Sequence, residues 1–429
     1  MNIFSKIRRT VFWLKDLLLG SNVTKHYNDI LENFNKKEEN SAALNKLLNH
    51  TIKNVSFYKD LGANSTISDF QVINKSIIRN NVDLFISDGL DKNSLIQLTT
   101  SGSTGTPFTV YQDKNKKSRN TADSIVFGKL ANYGFGNKLY YLKIWSEANK
   151  KSKWTRLTQN IEPIDVLDLN DEKIHLLLGK LKNESSPFAI MGYASALETL
   201  SNYFQKNNIS RLNTKITSVM AISETLHIHV KDKLSSVFGI PVVSRYSNVE
   251  NGILGQQSID GTHGFVLNTA SYYFEIFDLD KDELLPYGEI GRIVITDLYN
   301  FAMPMIRYDT GDVGCLEICL NTGKLLLKNL HGRKLDLLYN TTGQLVNSLL
   351  VYKNMWQYKE IDQYQLAQTG IKTYELRINC KNGFTRSAEI ISEYKTYLGA
   401  DADIKIIDKT EIPLLASGKR RKVVQEYYI

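Results

Sequence analysis

The chain has 429 residues, enough for two or three domains, each able to bury a core without disulfide or metal staples. Apolar residues make up 42% and charged residues 23%, with 26 glycines and 7 prolines, which excludes wholesale disorder. Three cysteines exclude a disulfide framework and fit a reducing compartment. The 53 basic against 45 acidic residues leave a mild positive surplus of the kind that solvated helix lysines give. No run interleaves aromatics with Lys and Arg as a base-stacking surface would, so nucleic acid is not an expected partner.

The chain opens MNIFSKIRRTVFWLKDLLLG, where Lys6, Arg8, Arg9 and Lys15 interrupt the apolar positions. It is neither a secretory signal nor the run of roughly 20 apolar residues that a bilayer span needs. Phe4, Ile7, Val11, Leu14 and Leu18 recur at helical spacing and predict a basic amphipathic helix. Its apolar stripe either packs on the body of the protein, the commoner use of such a stripe, or makes a peripheral membrane contact. The helical pattern continues to about residue 90, with a polar break at 36–40. Between 95 and 330 short apolar runs alternate with helical stretches. Strands are predicted at 217–222, 241–244 and 292–296, and helices at 195–205 and 224–237, an alternation that argues for α/β layers. Past residue 332 the texture changes to a smaller α+β segment. There a hairpin is predicted around Thr342-Gly343, helices at 349–358 and 386–398, and strands at 364–368, 374–379 and 403–407. The expected domains are therefore 1–331, mostly helical up to 90, and 332–429.

The most informative stretch is LTTSGSTGTPF at 98–108, a strand that ends in a loop dense in Ser, Thr and Gly. Backbone N–H groups and hydroxyls of Thr100, Ser101, Gly102, Ser103, Thr104, Gly105 and Thr106 can wrap phosphate oxygens. It is not a Walker loop, since GxxxxGK[ST] is absent, and taken alone it reads equally as a flexible connector. It is followed by SRYSNVENG at 244–252, which puts Glu250 just after an apolar strand. Next come MPMIRYDTGD at 303–312, HGR at 331–333 and PLLASGKRR at 413–421. Together these supply a phosphate loop, a carboxylate for Mg²⁺, an Asp and an Arg for a ribose, and a Lys near the end of the chain.

With these segments in this order, the sequence resembles the adenylate-forming ligases. Within them it is most similar to the phenylacetate–CoA ligase-like branch that includes the CapK-type proteins of capsule and O-antigen gene clusters. TTSGSTGTPF looks like the family's phosphate loop, and TDLYNFAMPMIRYDTGD like the branch's ribose motif. Gly332-Arg333 followed by Asp336 looks like the hinge, and SGKRRKVV like the ending that carries the family lysine. The resemblance implies a large α/β N-terminal domain of layered sheets and helices that binds ATP and an acid, and a small mobile α+β C-terminal domain. It also implies two half-reactions: the acid and ATP give an acyl-AMP and pyrophosphate, and an acceptor then takes the acyl group and releases AMP.

By the same resemblance Lys419 bridges the carboxylate and the α-phosphate as the catalytic lysine, and Glu250 holds Mg²⁺. Asp312 takes the ribose hydroxyls, Arg333 and Ser247 hold the same nucleotide, and Tyr246 lies by the adenine. Tyr193, Ala194, Ala221, Ile222 and Ser223 line the acid pocket, although Tyr193 and Ile222 read equally as core. The implied cofactors are ATP and Mg²⁺. The acceptor is left open between a thiol, from CoA or the phosphopantetheine of a carrier protein, and an amine such as an amino sugar. The expected setting is cytoplasmic, free or peripheral to the inner face of the membrane. Two alternatives stand beside this reading: an adenylyltransferase that leaves AMP on its product, and a degenerate membrane-associated scaffold.

Two departures from the family pattern matter. Thr106 stands where many relatives have Lys, so weaker ATP binding is expected. No cysteine follows the Glu250 motif, where some relatives hold zinc. Cys315 and Cys319 on one strand would lie about 13 Å apart, too far to chelate one ion. His227, His229 and His263 would form a site only by a coincidence of folding.

Overall fold

A computed structural model of the chain describes residues 3–34, 40–100, 108–145, 150–167, 169–260, 264–333, 337–346, 355–358, 360–380, 383–413 and 421–427, without the side chains of Arg333 and Trp356. The described residues divide into two compact units. The larger takes in residues up to 310 and 315–328, and the smaller takes in 311–314 and the residues from 329 on.

The larger unit begins with three helices, α1 (Ile3–Leu18), α2 (Asn22–Phe34) and α3 (Ser41–Asn54). After these the expected helical run to residue 90 is not found. Apart from a short helix, α4 (Lys75–Asn80), capped by Asn74, the segment is a chain of 3₁₀ turns. A hairpin follows, β1 (Ile96–Thr100) with β2 (Phe108–Gln112), and then α5 (Lys114–Leu130).

An alternating stretch then runs β3 (Lys138–Lys143), α6 (Lys153–Gln159), β4 (Ile161–Asp165), α7 (Asp171–Asn183), β5 (Phe188–Tyr193), α8 (Ala194–Lys206), β6 (Ile216–Ile222), α9 (Ile228–Phe238) and β7 (Val242–Asn248). Its strands pair in parallel in the order β7-β6-β5-β3-β4. Seven more strands complete the sheet: β8 (Gly252–Gln256), β9 (Phe265–Leu267), β10 (Tyr272–Phe277), β11 (Leu284–Leu285), β12 (Ile290–Asp297), β13 (Tyr308–Ile318) and β14 (Leu325–Arg333), with antiparallel pairing between β7 and β8, β8 and β9, β9 and β14, β10 and β11, and β10 and β12.

Side chains alternate across the parallel strands because the pleat has period two. Tyr140, Leu142, Phe188, Ile190, Val219, Ala221 and Val242 face α7, α8 and α9, where they meet Leu177, Leu181, Leu197, Leu200, Phe204 and Leu234. Leu139, Ala189, Met191, Met220, Ile222 and Val243 form a separate layer with Tyr133, Tyr141 and Tyr193 on the other face. Full burial of each Leu, Ile, Val or Phe is worth about 1.5–3 kcal/mol, so the helical side of the sheet holds this half together.

Helix α9 starts at Ile228, four residues later than predicted. The Glu224 carboxylate accepts the Ser195 N–H at 3.1 Å at the start of α8, and Ser223 is left-handed at φ 72°, so the chain turns before it coils.

The smaller unit pairs β15 (Leu338–Tyr339) with β16 (Leu345–Val346) around the predicted turn at Thr342-Gly343. It continues through β17 (Ile361–Gln368), β18 (Thr373–Cys380), α10 (Ser387–Leu398), β19 (Asp403–Asp408) and β20 (Val423–Gln425), in sheet order β19-β18-β17-β20. Leu366, Leu376 and Ile378 of the sheet pack on Ile390, Tyr394 and Leu398 of α10. The predicted helix at 349–358 is described only from residue 355, where Met355–Gln357 is a 3₁₀ turn.

Candidate active site

The loop of Ser, Thr and Gly is the connector of the β1–β2 hairpin. Thr100 pairs with Phe108, and the strands stay in register from there to Ile96 and Gln112. Ser101, Gly102, Ser103, Thr104, Gly105 and Thr106 lie outside the described residues. At the mouth of the connector, the Thr100 hydroxyl oxygen is buried with no hydrogen-bond partner among the described residues.

Phe108 begins a cluster. Its ring lies parallel to that of Tyr308, with centroids 6.4 Å apart, and the Lys75 ammonium lies 5.5 Å from the centroid of Phe108. The Tyr308 hydroxyl donates to Glu250 Oε1 at 2.8 Å, and Lys75 Nζ reaches the same oxygen at 2.8 Å. Glu250 is 2% exposed. Burial alone would raise its pKa, but the charge and hydrogen bonds of Lys75, with help from Tyr308, hold it below the ordinary glutamate value. The carboxylate therefore stays ionised at the end of the hairpin that carries the loop.

Backbone geometry explains how distant segments meet here. Ile73 bridges to Tyr308: its N–H donates to the Arg307 carbonyl at 3.0 Å and its carbonyl accepts the Asp309 N–H at 2.8 Å. This brings Lys75, two residues on, beside Tyr308. The turn from β7 to β8 is tied by Asn251 N–H to Asn248 Oδ1 at 2.8 Å and by Gln112 Nε2 to the Glu250 carbonyl at 3.0 Å. It closes at Gly252 with φ 119°, where a Cβ would meet Asn120 Oδ1 at 2.9 Å and the Tyr272 hydroxyl at 3.1 Å. Only glycine is comfortable there.

The RYDTGD run is anchored residue by residue. Arg307, left-handed at φ 51°, is clamped by Glu275 at 2.7–3.1 Å, and Asp309 accepts from Arg292 at 2.9 Å. The strand continues through Gly311 at φ 76° to a half-buried Asp312. Arg333 ends β14, and its side chain is outside the description, as are Asp336 and Lys419.

The acid-pocket candidates divide between the two faces of the sheet. Tyr193 and Ile222 are register partners at the ends of β5 and β6 and share the layer that contains Met191, Met220 and Tyr141. Ala221 faces the helices and is wholly buried, and Ala194 is buried at the start of α8. Ser223 is exposed at the end of β6. Tyr246 is buried in β7, edge-on to Phe265, with Ser247 beside it opposite Ile253.

Arg245 joins the Tyr193 layer. Its Nε donates to Gln256 at 2.8 Å and its Nη2 touches Met220 Sδ at 3.7 Å, and among the described residues no carboxylate pairs with it. Burial pulls its pKa down to about 10, which leaves it charged at neutral pH.

Sequence reasoning missed Lys75, Tyr308 and Arg245. Lys75 had one faint signal: a cation in the first turn of a helix opposes the macrodipole, so its partner must lie elsewhere. Tyr308 sat inside a recognised motif, but nothing in the sequence aims its hydroxyl at Glu250.

Among the described residues no group of three or more His, Cys, Asp and Glu could hold a metal ion. The His227 and His229 rings stack 5.8 Å apart, and His263 is outside the description. As a metal ligand Glu250 would offer a single hard carboxylate, with its Oε1 already engaged by Lys75 and Tyr308. That fits Mg²⁺ carried mainly by phosphates and water, and does not fit an all-protein metal cage.

No protein-family model matches the chain. Its sequence is 24% identical to Protein CapK of Staphylococcus aureus across 94% of this chain and 93% of that protein. It is 25% identical to the phenylacetate-coenzyme A ligase of Aromatoleum evansii over 57% of this chain and 59% of the relative. A crystal structure of 2-hydroxyisobutyryl-CoA ligase in the postadenylation state, in complex with R3-HIB-AMP, superposes with a TM-score of 0.69 at 14% identity, covering 90% of this chain and 88% of that one. The chain has the fold of the adenylate-forming ligases. ATP-bound MatB from Rhodopseudomonas palustris shares it with a TM-score of 0.57 at 15% identity, over 78% of this chain and 68% of that chain. In this adenylate-forming fold, the Lys75–Glu250–Tyr308 cluster sits at the strand that leaves the Ser/Thr/Gly loop.

Proposed function

We propose that the protein is an AMP-forming ligase that activates a carboxylic acid with ATP and passes the acyl group to a thiol or amine. The observation that carries this reading is the Lys75–Glu250–Tyr308 cluster. An ionised, buried carboxylate is held by a lysine and a tyrosine hydroxyl against Phe108, where the Gly-rich connector returns to the sheet.

In the first step a carboxylate oxygen of the acid attacks the α-phosphorus of ATP. The α–β P–O bond breaks, and pyrophosphate leaves with its electron pair. Two anions must meet, so the chain's donors act by neutralising charge as it concentrates. Lys419 would bridge the two reacting groups, the backbone and hydroxyls of 100–106 would hold the phosphates, and Asp312 and Arg333 would hold the ribose. Glu250 would supply the one protein oxygen for Mg²⁺, which when bound offsets phosphate charge. In the second step a sulfur or nitrogen nucleophile attacks the acyl carbon and AMP departs. CoA is the thiol supported by the named activities of the relatives; an amino sugar or carrier protein in surface-polysaccharide synthesis is the alternative acceptor.

The acid site is read from the layer holding Tyr193, Ile222, Met191 and Met220 beside Arg245. A partly buried guanidinium that no carboxylate pairs with among the described residues favours acids with a further oxygen function over plain hydrocarbon chains.

The test is pyrophosphate release from ATP and Mg²⁺ across aryl, fatty, hydroxy, dicarboxylic and amino acids. Acid-dependent release that falls about 100-fold or more in Lys419→Ala supports the proposal. AMP retained on the final product would convert the reading to adenylyl transfer. Failure to bind ATP at all would overturn it in favour of a scaffold.

A further inference from the structure

The apolar stripe of α1 is turned outward. Ile3, Phe4, Ile7, Val11, Leu14, Leu17 and Leu18 are all exposed, from 51% at Ile7 to 86% at Leu18. The helix docks by its opposite face. Ser5 and Asp16 are buried, Phe12 and Trp13 meet Phe135 at 4.8 and 6.4 Å, and Arg9 donates to the Phe135 carbonyl at 3.2 Å. Asp16 accepts the backbone N–H groups of Val23 and Thr24 at 3.0 and 2.8 Å. A Cβ at Gly136 would stand 2.9 Å from the Ser5 carbonyl, so the approach is close. The outward stripe is therefore a fixed ridge.

At 100° per residue the exposed apolar positions share one arc, interrupted by Thr10 between Leu17 and Ile3. Lys6 borders it on one side, Lys15 and Arg8 on the other, and the only acid among residues 1–20 is the buried Asp16. Arg8 Nε donates to the Leu157 carbonyl at 3.3 Å, which places α6 alongside. From α6, Trp154 and Leu157 are exposed at 77% and 59%, and Lys150, Lys151, Lys153 and Arg156 are close to them in the chain, Arg156 paired with Glu162 at 3.4 Å.

We propose that this ridge, extended by Trp154 and Leu157, is a docking surface for a bilayer bearing anionic phospholipids. The chemistry fits that occupant. An apolar face sinks into the headgroup–acyl boundary, flanking Lys and Arg meet phosphate, and a tryptophan sits at headgroup depth. No described helix is long and apolar enough to cross a membrane, so the mode is lying on the surface. This inference stands without the ligase reading.

The test is flotation of the full-length protein with phosphatidylglycerol/phosphatidylcholine vesicles against pure phosphatidylcholine. Co-flotation with the anionic vesicles, weakening as salt rises, is expected. Ile7→Glu with Leu14→Glu should reduce binding about tenfold or more with an unfolding midpoint close to that of the wild type, since both side chains are more than half exposed. Lys6→Glu with Lys15→Glu should abolish the preference for anionic over neutral vesicles. Absence of vesicle binding, or binding indifferent to the Glu pair, overturns the proposal. So does a wild-type dimer that the same pair makes monomeric while vesicles bind neither form; the occupant is then a second copy of the chain.

Discussion

The ammonium of Lys116 lies 2.7 Å from the carboxylate of Asp297, and neither side chain has any exposed surface. The same ammonium meets the Tyr272 hydroxyl at 3.1 Å, and that hydroxyl donates to the Asn251 carbonyl at 2.6 Å, next to Glu250. A wholly buried ion pair thus braces the turn that presents the candidate metal ligand. Lys116→Met leaves Asp297 charged and unpaired, and should destabilise the protein by about 3–5 kcal/mol in denaturant unfolding. Adding Asp297→Leu to it should restore much of that loss.

Glu250 gives a pH signature. Its pKa is held below the ordinary 4.5, so the stability it contributes is complete above that value and is lost as pH falls through the lowered folded value. Glu250→Gln has no such titration. The stability gap between wild type and Glu250→Gln should be widest near neutrality and shrink as pH falls below the ordinary glutamate value, in thermal unfolding followed across pH.

Lys75→Met removes the cation that keeps Glu250 ionised in its buried site. A stability loss of about 2–4 kcal/mol is expected, somewhat under that of a fully buried pair because Lys75 is partly exposed. Weaker Mg·ATP binding should accompany it, read by calorimetric titration. Tyr308→Phe should cost about 1–3 kcal/mol, the range for losing a hydrogen bond to a charged group.

Gly252→Ala forces a side chain onto a left-handed backbone and against Asn120 and Tyr272. It should destabilise by about 1–3 kcal/mol and depress nucleotide-dependent activity by displacing Glu250. A neighbouring control, Ser258→Ala, should change neither.

Arg245→Met should act in opposite directions on stability and function. Removal of a guanidinium that no carboxylate pairs with among the described residues should raise unfolding stability by about 1–3 kcal/mol. Acid-dependent pyrophosphate release should fall at the same time. A variant both more stable and fully active would show that Arg245 is no part of the acid site.

Individual elements were legible in the sequence where their signals are local. Continuous apolar runs bounded by turns gave β6 and β12 to within a few residues, and helical spacing gave α8 and α10. Which face of a helix is used is not a local property. Helix α1 docks through Phe12, Trp13 and the polar Asp16 and leaves its apolar stripe outside, the reverse of what hydropathy favours. Helix α5 buries Lys116, Arg119 and Asp123 because their partners, Asp297, Asp29 and Ser271, come from remote segments. The candidate site divides the same way. Glu250 was marked by its motif, while Lys75 reaches it through one backbone bridge between Ile73 and Tyr308 that no spacing rule encodes.

Asp16 has a consequence for how the protein would stand on a surface. It ends one helix and, through Val23, Thr24 N–H and the Thr24 hydroxyl, starts the next, so α1 cannot peel away without undoing the first turn of α2. A docking helix on a slack linker would leave its cargo free to tumble. One bolted at this corner acts as a bracket, and it sets the tilt of the larger unit against the plane it rests on.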